Sequence, residues 1–160
     1  MAILIWGRPR FTADIDIVIK LKPDKIDKLE KALLALGKAG YIDKDTIKEA
    51  LEKKGEFNFI DGYTGVKVDF WVIGEDFSSL SQLKRRVLKK ILGQKIYFIS
   101  PEDLILNKLL WYKESGSERH LEDIESIFKI TKELDLKYLK KWAEYHNVLG
   151  ILEKTLKNND

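Results

Sequence analysis

Asp14 and Asp16 stand two residues apart in Asp-Ile-Asp-Ile-Val-Ile, and Asp69 is the lone acid of a second apolar stretch, Val66–Val72. Along an extended chain side chains alternate faces, so Asp14 and Asp16 project together while Ile15, Ile17 and Ile19 project the other way. Two carboxylates then share one face roughly 7 Å apart at the backbone, which is costly unless water or a cation screens them. In the second stretch alternation sets Val66, Val68, Phe70 and Val72 on one face and Lys67, Asp69 and Trp71 on the other. If the two stretches are neighbouring strands, three carboxylates converge. That set suits two-cation phosphoryl or nucleotidyl transfer, one cation activating a hydroxyl and the other holding a triphosphate. Mg²⁺ or Mn²⁺ is the expected cofactor, since Mg²⁺ favours carboxylates combined with substrate phosphates. The chain has no cysteine, so thiolate sites are excluded and a metal must be held by carboxylates or by His120 and His146.

The elements that must position these residues separate by period. Asp14–Ile19 alternates and runs into β-branched residues, as a strand with one polar and one buried face does. Pro23 and Asp24 open a helix with the stripe Ile26, Leu29, Leu33 and Leu36, ended by Gly37 and Gly40. A shorter helix is predicted over Asp45–Lys53, and Glu56–Asp61 with Val66–Val72 flank Gly62-Tyr63-Thr64-Gly65 in the pattern of a hairpin. Ser78–Leu92 reads as a helix, with Leu80, Leu83, Val87, Leu88 and Ile91 on one side, Lys84, Arg85, Arg86, Lys89 and Lys90 on the other, and Gly93 as its stop. Lys95–Ile99 reads as a short strand, and Ser100-Pro101-Glu102-Asp103 as a strong helix start, with a capping serine, proline at the first position and an acid three residues on. From Glu118 onward the pattern stays helical. The fold class predicted is α+β: a small mixed sheet with helices on one side and a C-terminal helical annex, residues 1–99 forming the α/β core and residues 100–160 a helical region packed on it.

Composition narrows the class further. A length of 160 residues fits one compact domain or a core with an annex. No stretch approaches the roughly 20 apolar residues of a membrane span, and Met1–Trp6 is too short for a signal peptide, so a cytoplasmic protein without membrane partners is expected. The abundance of Lys, Glu, Ile and Leu leans toward a heat-adapted source, where ion-pair networks gain value. A net charge of +3 is too small to identify a nucleic-acid binder, although it does not oppose a polyanionic substrate. The Lys84, Arg85, Arg86, Lys89 and Lys90 cations read first as a solvated helix face and second as a surface for RNA phosphates, and Trp71, Trp111 and Trp142 read as core rather than as base-stacking platforms.

Gly7-Arg8-Pro9-Arg10-Phe11-Thr12-Ala13-Asp14-Ile15-Asp16-Ile17-Val18 closely resembles the Gly-x-x-Arg-x-Thr-x-Asp-Ile-Asp segment of the nucleotidyltransferase superfamily, most of all its AbiEii-type, toxin-like branch. Downstream, Ser100-Pro101-Glu102-Asp103-Leu104-Ile105-Leu106-Asn107-Lys108-Leu109 is similar to that branch's Ser-x-Glu-Asp-Leu-Ile-x-x-Lys-Leu motif. Arg119-His120-Leu121-Glu122-Asp123-Ile124 stands where the branch has Arg- or Lys-Asp-x-x-Asp-Ile/Leu. The resemblance implies that Asp14 and Asp16 ligate Mg²⁺, that Asp69 supplies a third carboxylate, that Lys108 contacts the nucleotide phosphates together with Arg10 and Thr12, and that Asp123 supports the site. It also implies the reaction: a nucleoside monophosphate moved from an NTP to an RNA, such as tRNA, or to a protein acceptor, in a toxin–antitoxin setting with an antitoxin partner.

Two departures from the branch stand out. The superfamily places a Gly-Gly or Gly-Ser turn at the start of a helix before the Asp-x-Asp segment, where backbone N–H groups meet the triphosphate. Here Met1 precedes Asp14 by thirteen positions, Ala2–Trp6 reads as the tail of that helix, and the turn is not present in the sequence. The alternative this raises is a catalytically incomplete binding or regulatory module. His120 stands where the branch commonly has an acid.

Overall fold

The computed structural model describes residues 2–11, 14–36 and 39–157. In chain order the elements are α1 (Ile3–Trp6), β1 (Asp14–Ile19), a 3-10 turn (Pro23–Lys25), α2 (Ile26–Leu34), α3 (Lys44–Lys53), β2 (Glu56–Ile60), β3 (Lys67–Val72), α4 (Phe77–Arg85), β4 (Val87–Ile91), β5 (Gln94–Phe98), α5 (Pro101–Ser115), α6 (Glu118–Ile130), α7 (Leu136–Tyr145) and α8 (Leu149–Lys157). The α+β class is the one the periodicities predict. Gly37, read as the stop of α2, and Thr12 lie outside the described residues.

Two compact units divide the chain: Phe11–Leu80, and Ala2–Arg10 with Ser81–Asp160. The first holds a three-stranded mixed sheet in the order β1-β3-β2. Asp14–Ile19 pairs in parallel with Lys67–Val72, and β2 pairs antiparallel with β3 as the predicted hairpin. The alternation explains the layering. Phe57 and Phe59 of β2 and Phe70 and Val72 of β3 share the apolar face, and they form one core with Ile26 and Leu33 of α2 and Ile47 and Ala50 of α3. Phe57 lies opposite Phe70, their rings stacked at 5.0 Å. The hairpin turn is held by Asp61, whose carboxylate accepts from Tyr63 N and from the Thr64 hydroxyl.

The second unit is built on α5, and most of its first nine residues are buried, including Ile105 and Leu109 at 0 % exposure. Ile124 and Ile127 of α6, Leu139 and Trp142 of α7, Leu152 of α8 and Ile3 of α1 complete its core. Ser100 caps α5 by accepting from Asp103 N, as the Ser-Pro-Glu-Asp start predicts.

One element differs from its sequence reading. The stretch predicted as a helix to Leu92 stops at Arg85, and Val87–Ile91 becomes a strand paired antiparallel with Gln94–Phe98. Leu92 and Gly93 take φ of 47° and 83°, both positive as a type I′ two-residue turn requires. Such a short apolar run fits a strand as well as a helix stripe, and pairing decides it. The hairpin belongs to the second unit, and α1 packs on α6 there. The two units meet in the sequence at Leu80/Ser81, and the N-terminal segment Ala2–Arg10 belongs to the second.

Candidate functional site

In the first unit the parallel register sets Asp16 opposite Asp69 and Asp14 opposite Lys67. Directly opposed residues share a face, so Asp14, Asp16, Lys67 and Asp69 line the side of the sheet away from the phenylalanine core, with Asn58 opposite Asp69 on the other flank. The neighbouring-strand arrangement that the three acids needed is thus present. Lys67 Nζ lies 3.0 Å from Asp69 Oδ2, and the Asp69 side chain is 13 % exposed. The hydrogen bond it donates to Asp69, with the charges of Asp69, Asp14 and Glu56, raises the Lys67 ammonium above its ordinary pKa.

The three carboxylates of this face are the kind of donor a hard divalent cation takes. Among the described residues, however, no three His, Asp or Glu side chains are gathered tightly enough to hold a metal ion as a ready-made group. A set of one or two carboxylates completed by substrate phosphates matches the usual habit of Mg²⁺.

In the second unit three further residues singled out in the sequence meet. Asp123 receives a bidentate pair of bonds from Arg10, Nε to Oδ1 and Nη2 to Oδ2, each 2.9 Å, and Lys108 Nζ sits 2.7 Å from Oδ2. Lys108 and Asp123 are both 5 % exposed, so Lys108 is buried and paired. Burial works against a charged Asp123, but the bonds and charges of Arg10 and Lys108 outweigh it and hold the carboxyl below its usual range. Beside them Trp111 faces Lys108 at 5.3 Å and His120 at 5.7 Å. Burial and then the Lys108 charge push the His120 imidazole below its ordinary value, and its buried Nδ1 meets no hydrogen-bond partner among the described residues.

Gly7 explains how Arg10 reaches this carboxylate. A Cβ at Gly7 would stand 2.5 Å from Ser126 Oγ and 2.6 Å from Ile3 Cδ1. Without it the segment lies close on α6, where Arg8 N donates to Ser126 Oγ and that hydroxyl donates to Asp123 O. The spacing Gly-x-x-Arg therefore places the guanidinium over the acid one turn away from Ser126.

Comparison with known families bears on these motifs. The family described as Nucleotidyl transferase AbiEii toxin, Type IV TA system, matches residues 1–148. The chain belongs to the AbiEii toxin family. No curated protein matches the chain. Membership makes it a nucleotidyltransferase toxin of the type IV toxin–antitoxin class, and such a class implies an antitoxin counterpart. No helix among the described residues is long and apolar enough to cross a membrane.

This AbiEii-family chain also carries a buried polar network that the sequence reading missed. Asp103, fully buried, receives the Ser100 hydroxyl at 2.8 Å and the Tyr138 hydroxyl at 2.7 Å. Glu102 accepts from Arg85 Nη2 and from Asp135 N, each at 3.0 Å, while the Arg85 guanidinium stacks 3.8 Å over Tyr138. Burial raises the Asp103 carboxyl despite these bonds. Burial and the Asp103 bond push the Tyr138 hydroxyl up to about 12. The visible signal was Ser-Pro-Glu-Asp, which reads as a helix cap; its second duty, holding α7 and Arg85 to the start of α5, depends on partners far along the chain. Arg85, expected on a solvated basic face, points inward instead.

Proposed function

We propose that this AbiEii-family chain transfers a nucleoside monophosphate from an NTP to a hydroxyl on RNA or protein, releasing pyrophosphate, with Mg²⁺ or Mn²⁺ as cofactor. The observation that carries the reading is the register: Asp16 opposite Asp69, with Asp14 on the same face of two parallel strands. Asp14 and Asp16 would hold the cation, and Asp69 joins them once Lys67 releases it. When bound, a divalent cation supplies charge stabilisation to the reacting phosphate and acidity to an attacking hydroxyl. The chain's own part is orientation. The apolar reverse of β3 is packed into a core that Ile19 of β1 joins at its edge, and the parallel pairing holds the two acidic strands in register. Arg10 and Lys108 carry the positive charge that the family motifs assign to the nucleotide phosphates, and Thr12 belongs to the same motif. Asp123, bonded to both cations, sets where each is presented.

The test is labelling with α-³²P NTPs and Mg²⁺ in the presence of total RNA, alongside the protein itself as acceptor. Label in either fraction is expected, dependent on the divalent cation and lost in Asp16→Ala while the variant keeps its fold by circular dichroism. An absence of label with all four NTPs, together with no binding of Mg²⁺–NTP by calorimetry, would reject transfer in favour of a binding module.

A further inference from the structure

Between Asp76 and Glu102 lie 25 residues with six cations, Lys84, Arg85, Arg86, Lys89, Lys90 and Lys95, and no acid. Over the whole chain 29 basic residues are interleaved with 26 acidic ones, so this stretch is an exception. The structure sorts its cations. Arg85 is committed to Glu102 and Tyr138, and Lys89 lies 4.5 Å from the Trp6 ring. Lys84, Arg86, Lys90 and Lys95 stay exposed, and none of them forms an ion pair among the described residues.

The β4–β5 register sets Leu88 opposite Tyr97 and Lys90 opposite Lys95. Alternation then gathers Leu88, Lys90, Lys95 and Tyr97 on one exposed face, and Arg86 joins them with its guanidinium 4.6 Å from the Tyr97 ring. Like charges directly opposite each other weaken a hairpin, and a two-stranded sheet is marginal to begin with. A polyanion laid across the pair reverses that repulsion. Edge lysines do guard a hairpin against strand addition, but that duty needs neither an exposed tyrosine nor an acid-free stretch. Arg86 covers part of the Tyr97 ring, which stays 58 % exposed, and an acidic protein would meet the charges without supplying a flat base for the rest of it.

We infer that this face of the β4–β5 hairpin docks single-stranded nucleic acid, with Arg86, Lys90 and Lys95 on phosphates and Tyr97 under a base. The surface acts in binding alone, independently of the transfer reaction.

Fluorescence anisotropy of labelled oligo-U and oligo-dT of about 12 nucleotides, titrated with the full chain without NTP or divalent cation, provides the test. Binding that weakens steeply with salt is expected. Lys90→Glu with Lys95→Glu lowers affinity about ten-fold or more and flattens the salt slope, and Tyr97→Ala lowers it about ten-fold while Tyr97→Phe retains it. Lys90→Gln with Lys95→Gln repeats the test should the reversed pair unfold the hairpin by circular dichroism. Full affinity in the lysine variants, or a poly-glutamate peptide binding as tightly as either oligomer, overturns the inference. Oligomer binding by the wild-type chain without any label counts against the proposed transfer and not against this surface.

Discussion

At the scale of single residues the decisive group is Asp123, a buried carboxylate answering two cations. Removing one partner of a buried ion pair leaves uncompensated charge and costs about 3–5 kcal/mol. Asp123→Ala should lose about that much stability at pH 7, measured by urea unfolding, because Lys108 would remain buried with no carboxylate. The pH dependence has a definite sign. The folded carboxyl sits below its ordinary 3.8, so its stabilisation is complete above that value and is lost as pH falls through the folded one. The gap between wild type and variant should therefore close at low pH; a gap constant from pH 7 to pH 3 would contradict this account. Much of this group was legible in the sequence. A lysine interrupting the Leu104–Trp111 stripe and an acid one turn from Ile127 both signal charges at a buried face. Their mutual pairing was not, because α5 and α6 set it through the core, and neither was Arg85, whose partners Glu102 and Tyr138 lie 17 and more residues away.

Elements report the balance between local preference and pairing. Strands β1 to β3 follow from alternation over five or six residues with aromatic and β-branched side chains. The β4–β5 hairpin escaped the same reading because its turn is Leu-Gly, where Asn-Gly would have announced a type I′ geometry. Leu92 holds φ of 47° while 99 % exposed, so it bears the left-handed cost with no packing in return. Leu92→Asn should stabilise the protein by about 0.5–1 kcal/mol, seen as a rise in Tm. A fall in Tm would show that Leu92 makes a contact this geometry does not hold.

Across the whole molecule, the extent of the family and the extent of the fold do not coincide. The match ends at residue 148, yet α8 beyond it places Leu152 at 0 % and Thr155 at 3 % exposure, against α6 and α7. Leu152→Ala should cost about 2–5 kcal/mol, as large-to-small changes in packed cores do, and removal of residues 149–160 should cost more; a truncated chain with unchanged urea midpoint would refute this. Periodicity foresaw helix to the end of the chain, but which helices bury their stripe depends on tertiary packing that a single sequence does not display. The molecule also lends itself to spectroscopy. It contains no cysteine, and at the tip of the β4–β5 hairpin the Leu92 side chain stands in open solvent. Leu92→Cys would create one thiol in the entire chain, so a maleimide dye attached there sits beside Lys90 and Lys95 and reports, by its own change in emission, when anything settles on that face.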